Sequence, residues 1–144
     1  MCDFSLQNVR SRPAKVGDLL VTRDFGTGTR GFACQQDRTM AVCVQPGTEL
    51  AFEKPVRDRE PLLARALRTL LRFPDAMPAY RTAIFRQVNK HCAMVHHDAL
   101  EFPDGKVSLL TRLAEGQRAV VLQLPAAPRT REEAIEQERV AVVR

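Results

Sequence analysis

Between Val95 and Leu124, short β-type runs are broken at Asp104-Gly105 and again at Glu115-Gly116. A strand sends every second side chain to one face, and Asp-Gly supplies the positive φ angles that a two-residue hairpin loop needs. The segment therefore predicts a three-stranded antiparallel meander. With two residues in each loop, Phe102 faces Val107, Leu100 faces Leu109, Asp98 faces Thr111 and His96 faces Leu113. Leu122 then lies beside Leu109, and Arg118 beside Leu113. Val107, Leu109, Leu113, Val120, Leu122 and Leu124 share this side, so it is the buried one. His97, Glu101, Arg112 and Gln123 take the outer face.

The first strand of this meander, read as Cys92 to Phe102, carries Cys92, Met94, His96 and Asp98 at alternate positions. A thiol, an imidazole and a carboxylate on one face can bind a metal or move a proton. Thr111 and Arg118 join His96 and Asp98 at the sheet end away from Asp104-Gly105. Buried charges must find partners, and three arrangements satisfy them. Asp98 pairs with Arg118 or His96 as a structural lock. Alternatively His96, Asp98, Thr111 and Arg118 line a small-ligand or proton-transfer pocket. In the third, a divalent transition metal is held by His96 and Asp98, with His91, Cys92 or Cys2 completing the shell. The His-x-Asp spacing also occurs in non-haem iron oxygenases, but no histidine follows position 97 to supply the second imidazole.

Cys2 would be the terminal residue after removal of Met1, giving a thiol beside a free amine, as in N-terminal nucleophile enzymes. Asp3 departs from the Met-Cys-Gly start of that class. The glycine-rich Gly26 to Gly31 matches GxGxxG but opens no helical pattern, so it reads as a hairpin loop. Strands are expected at 17–23, 31–34, 40–45 and 49–53. Leu62, Leu63, Ala66, Leu67, Leu70 and Leu71 repeat at helical spacing after Pro61, predicting a helix over about 60–73 that packs across one opening of the sheet. Arg65, Arg68 and Arg72 fall opposite these leucines. They form either a solvated face or a contact surface for an acidic protein partner or RNA, though the scarcity of aromatics argues against nucleic acid. Thr130 and Glu133 form a capping box for a second helix.

The formal net charge of +5 is concentrated between Lys54 and Arg72, whereas the arginines and glutamates of 129–144 balance. With 144 residues, 44% hydrophobic, the chain suits one domain with its own core. No apolar stretch approaches the roughly 20 residues of a membrane span and no secretory layout opens the chain, so a cytoplasmic protein without membrane insertion is expected. The four cysteines at 2, 34, 43 and 92 form no CxxC pair and are expected as thiols, with Cys34 and Cys43 as small core residues.

Taken together, Met1-Cys2-Asp3-Phe4-Ser5-Leu6, 12–18, 29–33 and His96-His97-Asp98-Ala99-Leu100-Glu101-Phe102-Pro103-Asp104-Gly105 give a chain that resembles an uncharacterised family of short bacterial proteins. The resemblance implies a bacterial single-domain protein and brings no mechanism. The expected fold is α+β: a mainly antiparallel small β-barrel or curled sheet over residues 1–125 with one central amphipathic helix, then a linker and helical tail over 126–144. The expected function is binding of a small ligand or metal at the inward His96 and Asp98. The alternative is a non-enzymatic accessory module using the basic helix face.

Overall fold

Glycines with positive φ at the turns, Gly17, Gly26, Gly28, Gly47, Gly105 and Gly116, divide the chain into short strands. The computed structural model describes residues 8–26, 28–57, 62–72, 80–92, 94–126 and 131, with Arg65 described by its backbone only. Among them are β1 (Ser11–Pro13), β2 (Leu19–Asp24), β3 (Arg30–Cys34), β4 (Ala41–Cys43), β5 (Glu49–Phe52), α1 (Leu62–Leu70), β6 (Thr82–Gln87), β7 (Asp98–Glu101), β8 (Val107–Leu109) and β9 (Arg118–Gln123). The strands form one curled sheet in the order β1-β4-β3-β2-β9-β5-β6-β7-β8. β1 and β4 run parallel, and the remaining pairs are antiparallel.

The concave face holds the core. Leu20, Phe32, Val42, Leu50, Phe85, Leu100, Leu110, Leu113 and Val121 belong to one buried cluster. A 3-10 turn over Leu110–Arg112 lies against both β3 and β7, so the late part of the sheet curls back toward the early part. The result is a half-barrel. The four early strands stand within a residue or two of their expected places, and the glycine-rich segment joins β2 to β3 as a hairpin. β1 and β6 were not foreseen.

Three expectations are corrected. At Asp104-Gly105 the loop has three residues, because the Phe102 N–H donates to Lys106 O at 2.9 Å and the Gly105 N–H to Phe102 O at 2.8 Å. With Gly105 at φ +83°, this is a type I turn closed by a bulge. Pairing therefore slips by one residue: Leu100 opposes Ser108, and Glu101 opposes Val107. The slip inverts β8, leaving Val107 exposed and Ser108 buried.

The meander also fails at its third strand. After β8 the 3-10 turn carries the chain inward and buries Leu110 and Leu113, and β9 then inserts between β2 and β5. There it completes the backbone hydrogen bonding of two strands at once, which an edge position beside the three-residue β8 would not do. Finally, α1 is shorter than 60–73, and it does not pack across the opening. Leu62, Leu63, Leu67, Leu70 and Leu71 are all exposed. Residues 132–144, including most of the expected tail helix, lie outside the described residues.

The turn glycines differ in how closely they are packed. Gly47 combines φ +91° with a neighbour, since an added Cβ would meet Pro125 Cβ at 3.2 Å, whereas Gly105 has open space around it. Gly47→Ala is expected to cost about 2 kcal/mol and Gly105→Ala about 1 kcal/mol. Urea denaturation of the two variants measures the difference, and equal losses would mean that the Pro125 contact is absent.

Candidate functional site

The expected His/Asp site is only partly assembled. Asp98 opens β7 on the same face as the core residues Leu100 and Phe102 and is 5% exposed, so its inward orientation holds. It is paired in register with Gln87, whose Nε2 donates to Oδ1 at 3.3 Å. His96 is half-buried but precedes the strand, because β7 begins at Asp98 instead of Cys92. The intervening chain turns, with the Cys92 N–H donating to Asn89 O at 2.9 Å and Asn89 at φ +56°. His91 and Cys92 are exposed on that turn. His97, expected on the outside, is half-buried with Nδ1 2.9 Å from Val88 O. Glu101 does face outward, in an ion pair with Arg86.

Arg118 stands apart from this pair, while Thr111 lies on the 3-10 turn that packs against β7. Arg118 begins β9, which β5 and β6 separate from β7, with a half-exposed side chain 3.7 Å from Glu53. Among the described residues no three His, Cys, Asp or Glu side chains converge as a metal shell. Cys2 lies outside the described residues. Of the expected partner-binding residues, Arg68 lies in α1 and Arg72 just past it at φ +55°, and Arg65 is placed by its backbone alone.

Arg118 instead lines a cleft of about 460 Å³ together with Glu53, Lys54, Arg57, Glu115 and Gln117. Its walls are fastened to each other. Gln117 Oε1 accepts from the Arg57 N–H at 2.6 Å, Gln117 Nε2 donates to Arg57 O at 3.0 Å, and the Ala114 N–H donates to the same carbonyl at 2.8 Å. Behind Glu115 lies Arg30, 3% exposed, with Nη1 3.5 Å from Glu115 and Nη2 4.0 Å from Asp24.

A second constellation occupies the opposite end of β3. Arg12 of β1 donates from Nη1 to Asp18 Oδ2 at 2.7 Å and from Nη2 to Oδ1 at 3.0 Å. The Lys15 N–H also donates to Asp18, at 2.7 Å. This fork holds the guanidinium so that Nη2 lies 3.8 Å from the Cys34 sulfur. Cys34 ends β3, half-exposed at the rim of the core, and as a thiol it donates to Gln36 Oε1 at 3.0 Å. Backbone N–H groups, that of Asp37 first and that of Gln36 next, join Arg12 in holding the thiol pKa below its usual range, against the opposing effect of burial. A lowered pKa favours the thiolate over the thiol, and the thiolate is the nucleophile.

Sequence reasoning placed Cys34 in the core and missed this site. Its partners come from β1, which was unforeseen, and from a loop whose amides turn toward the sulfur only once folded. The other cysteines differ: Cys92 is free like Cys34, while Cys43 is disulfide-bonded, which corrects the expectation of a thiol there.

Asp18 makes a test of the constellation. Arg12 foremost, then the Lys15 N–H, hold its carboxyl below the usual carboxylate range. A folded pKa below the unfolded one stabilises the protein above the unfolded value, near 4, and this is lost as pH falls through the folded value. Asp18→Asn is therefore expected to cost about 0.5–1 kcal/mol at pH 7, the range of a partly exposed pair, and to flatten stability loss below pH 4. Urea midpoints at pH 7 and pH 3 read both effects; a variant as acid-sensitive as wild type would refute the pairing.

No protein-family model, curated protein or solved structure matches the chain.

Proposed function

We propose that the protein acts through Cys34, as a thiolate that exchanges with low-molecular-weight disulfides. The observation that carries this reading is the convergence of two backbone N–H groups and the Asp18-held guanidinium on one half-exposed sulfur. In the exchange, the Cys34 sulfur attacks one sulfur of the disulfide, a new S–S bond forms, and the other sulfur leaves as a thiolate. Arg12 and the two amides stabilise the anion before attack. The Gln36 carbonyl holds the proton of the resting thiol.

Iodoacetamide labelling followed by peptide mass spectrometry tests the premise. Cys34 is expected to label faster than the more exposed Cys92 at pH 6.5. Arg12→Met is expected to slow Cys34 at pH 7 by roughly fivefold, the effect of one charge-assisted hydrogen bond, and to leave Cys92 unchanged. A labelling midpoint for Cys34 at or above pH 8.5 would end the proposal.

A second reading keeps the expectation of small-ligand binding and moves it from His96 and Asp98 to Arg118. The cleft at Arg118 has the size of a small-molecule site, its walls are fixed by Gln117, and Lys54, Arg57 and Arg118 outnumber Glu53 and Glu115 around it, which suits an anionic ligand. Calorimetric titration of wild type and Arg118→Ala with citrate distinguishes the outcomes. Binding that weakens in the variant supports the reading, and the absence of heat with wild type at millimolar citrate refutes it.

A further inference from the structure

We infer that α1 docks on an anionic lipid surface. Leu62, Leu63 and Leu70 are 83%, 82% and 78% exposed, and Leu67 and Leu71 are more than half exposed. A chain does not usually leave five leucines in water without a use for them, and contiguous exposed apolar patches mark interaction sites. At 100° per residue, Leu62, Leu63, Ala66, Leu67 and Leu70 spread over an arc of about 140°, with Arg65 and Arg68 placed on the opposite side.

Residues 62–72 contain three arginines and no acidic residue. This single-sign charge selects the occupant. A second copy seated on the same face would bring two sets of arginines together, so charge disfavours self-association. A helix held in a protein groove needs only the i, i+3, i+4 and i+7 positions that Leu63, Ala66, Leu67 and Leu70 fill; Leu62 widens the arc beyond that stripe, and leucines opposite arginines are the pattern of helices that lie in the plane of a membrane interface. Anionic headgroups are complementary in charge to a segment that contains arginines and no acidic residue. No helix among the described residues is long and apolar enough to cross a membrane, so the contact is with the surface.

Co-sedimentation of the full chain with vesicles tests the inference. Phosphatidylcholine vesicles containing phosphatidylserine are expected to pull the protein down, and pure phosphatidylcholine to do so far less. Because the altered leucines are exposed, the Leu67→Glu, Leu70→Glu double variant should keep the wild-type urea midpoint while losing vesicle binding. Arg68→Glu should weaken binding by at least about fivefold, and added salt should weaken wild-type binding in the same direction. Failure of wild type to sediment with anionic vesicles at millimolar lipid would overturn the inference. So would binding that the leucine variant retains, or wild-type self-association in ultracentrifugation that this variant abolishes. Dependence on the arginines alone would point to an acidic protein or RNA contact, and would equally overturn it.

Discussion

Phe85→Ala is expected to cost about 3–5 kcal/mol, a large share of the 5–15 kcal/mol that holds a domain of this size together. Phe85 is 1% exposed at the centre of β6 and stands opposite Leu100, which is fully buried. Removing the ring creates a cavity that its neighbours cannot close, because β6 is hydrogen-bonded on both sides. On one side the Phe85 N–H donates to Thr48 O at 2.8 Å and Phe85 O accepts from the Gly47 N–H at 2.7 Å; on the other β6 pairs with β7. A urea titration should show a lower midpoint with little change in slope. A loss below about 1 kcal/mol would mean that the Phe85 ring does not fill the core between β5 and β7.

Leu113→Ala is expected to cost about 2–5 kcal/mol, while Val107→Ala stays within about 0.5 kcal/mol of wild type. The contrast follows from the three-residue hairpin loop and the inward 3-10 turn. Leu113 is fully buried with its N–H donating to Leu110 O at 3.0 Å, and Val107 is half exposed on β8. Ser108→Ala should be neutral or slightly stabilising, since the buried Ser108 hydroxyl has no hydrogen-bond partner among the described residues. A regular meander with a two-residue loop would make Val107 costly and Ser108 harmless at the surface. Equilibrium unfolding of the three variants separates the two registers.

Part of this architecture could be read directly from residue order. Each of the strands β2 to β5 is bounded on at least one side by a turn glycine whose positive φ only glycine adopts at little cost, so those bounds were legible. Asp104-Gly105 marked a hairpin correctly but did not fix its loop length: Pro103 is compatible with either register, and one added residue turns β8 over. The position of β9 was not legible because it depends on long-range pairing with β2 and β5, to which local alternation is blind. Asp98 faces inward because Leu100 and Phe102 on the same strand face do so. His96 lost its strand to a turn at Asn89, a residue that tolerates positive φ. The Arg12–Asp18–Cys34 constellation spans three segments, none of which carries a recognisable motif alone.

Among the described residues both margins of the sheet are three-residue strands, β1 and β8, and β1 contains Pro13, which has no N–H to offer. A neighbouring molecule therefore finds few unsatisfied backbone groups in line along which to add a strand. Truncated borders of this kind guard the molecule against stacking into fibrils, and they confine any self-assembly to side-chain contacts.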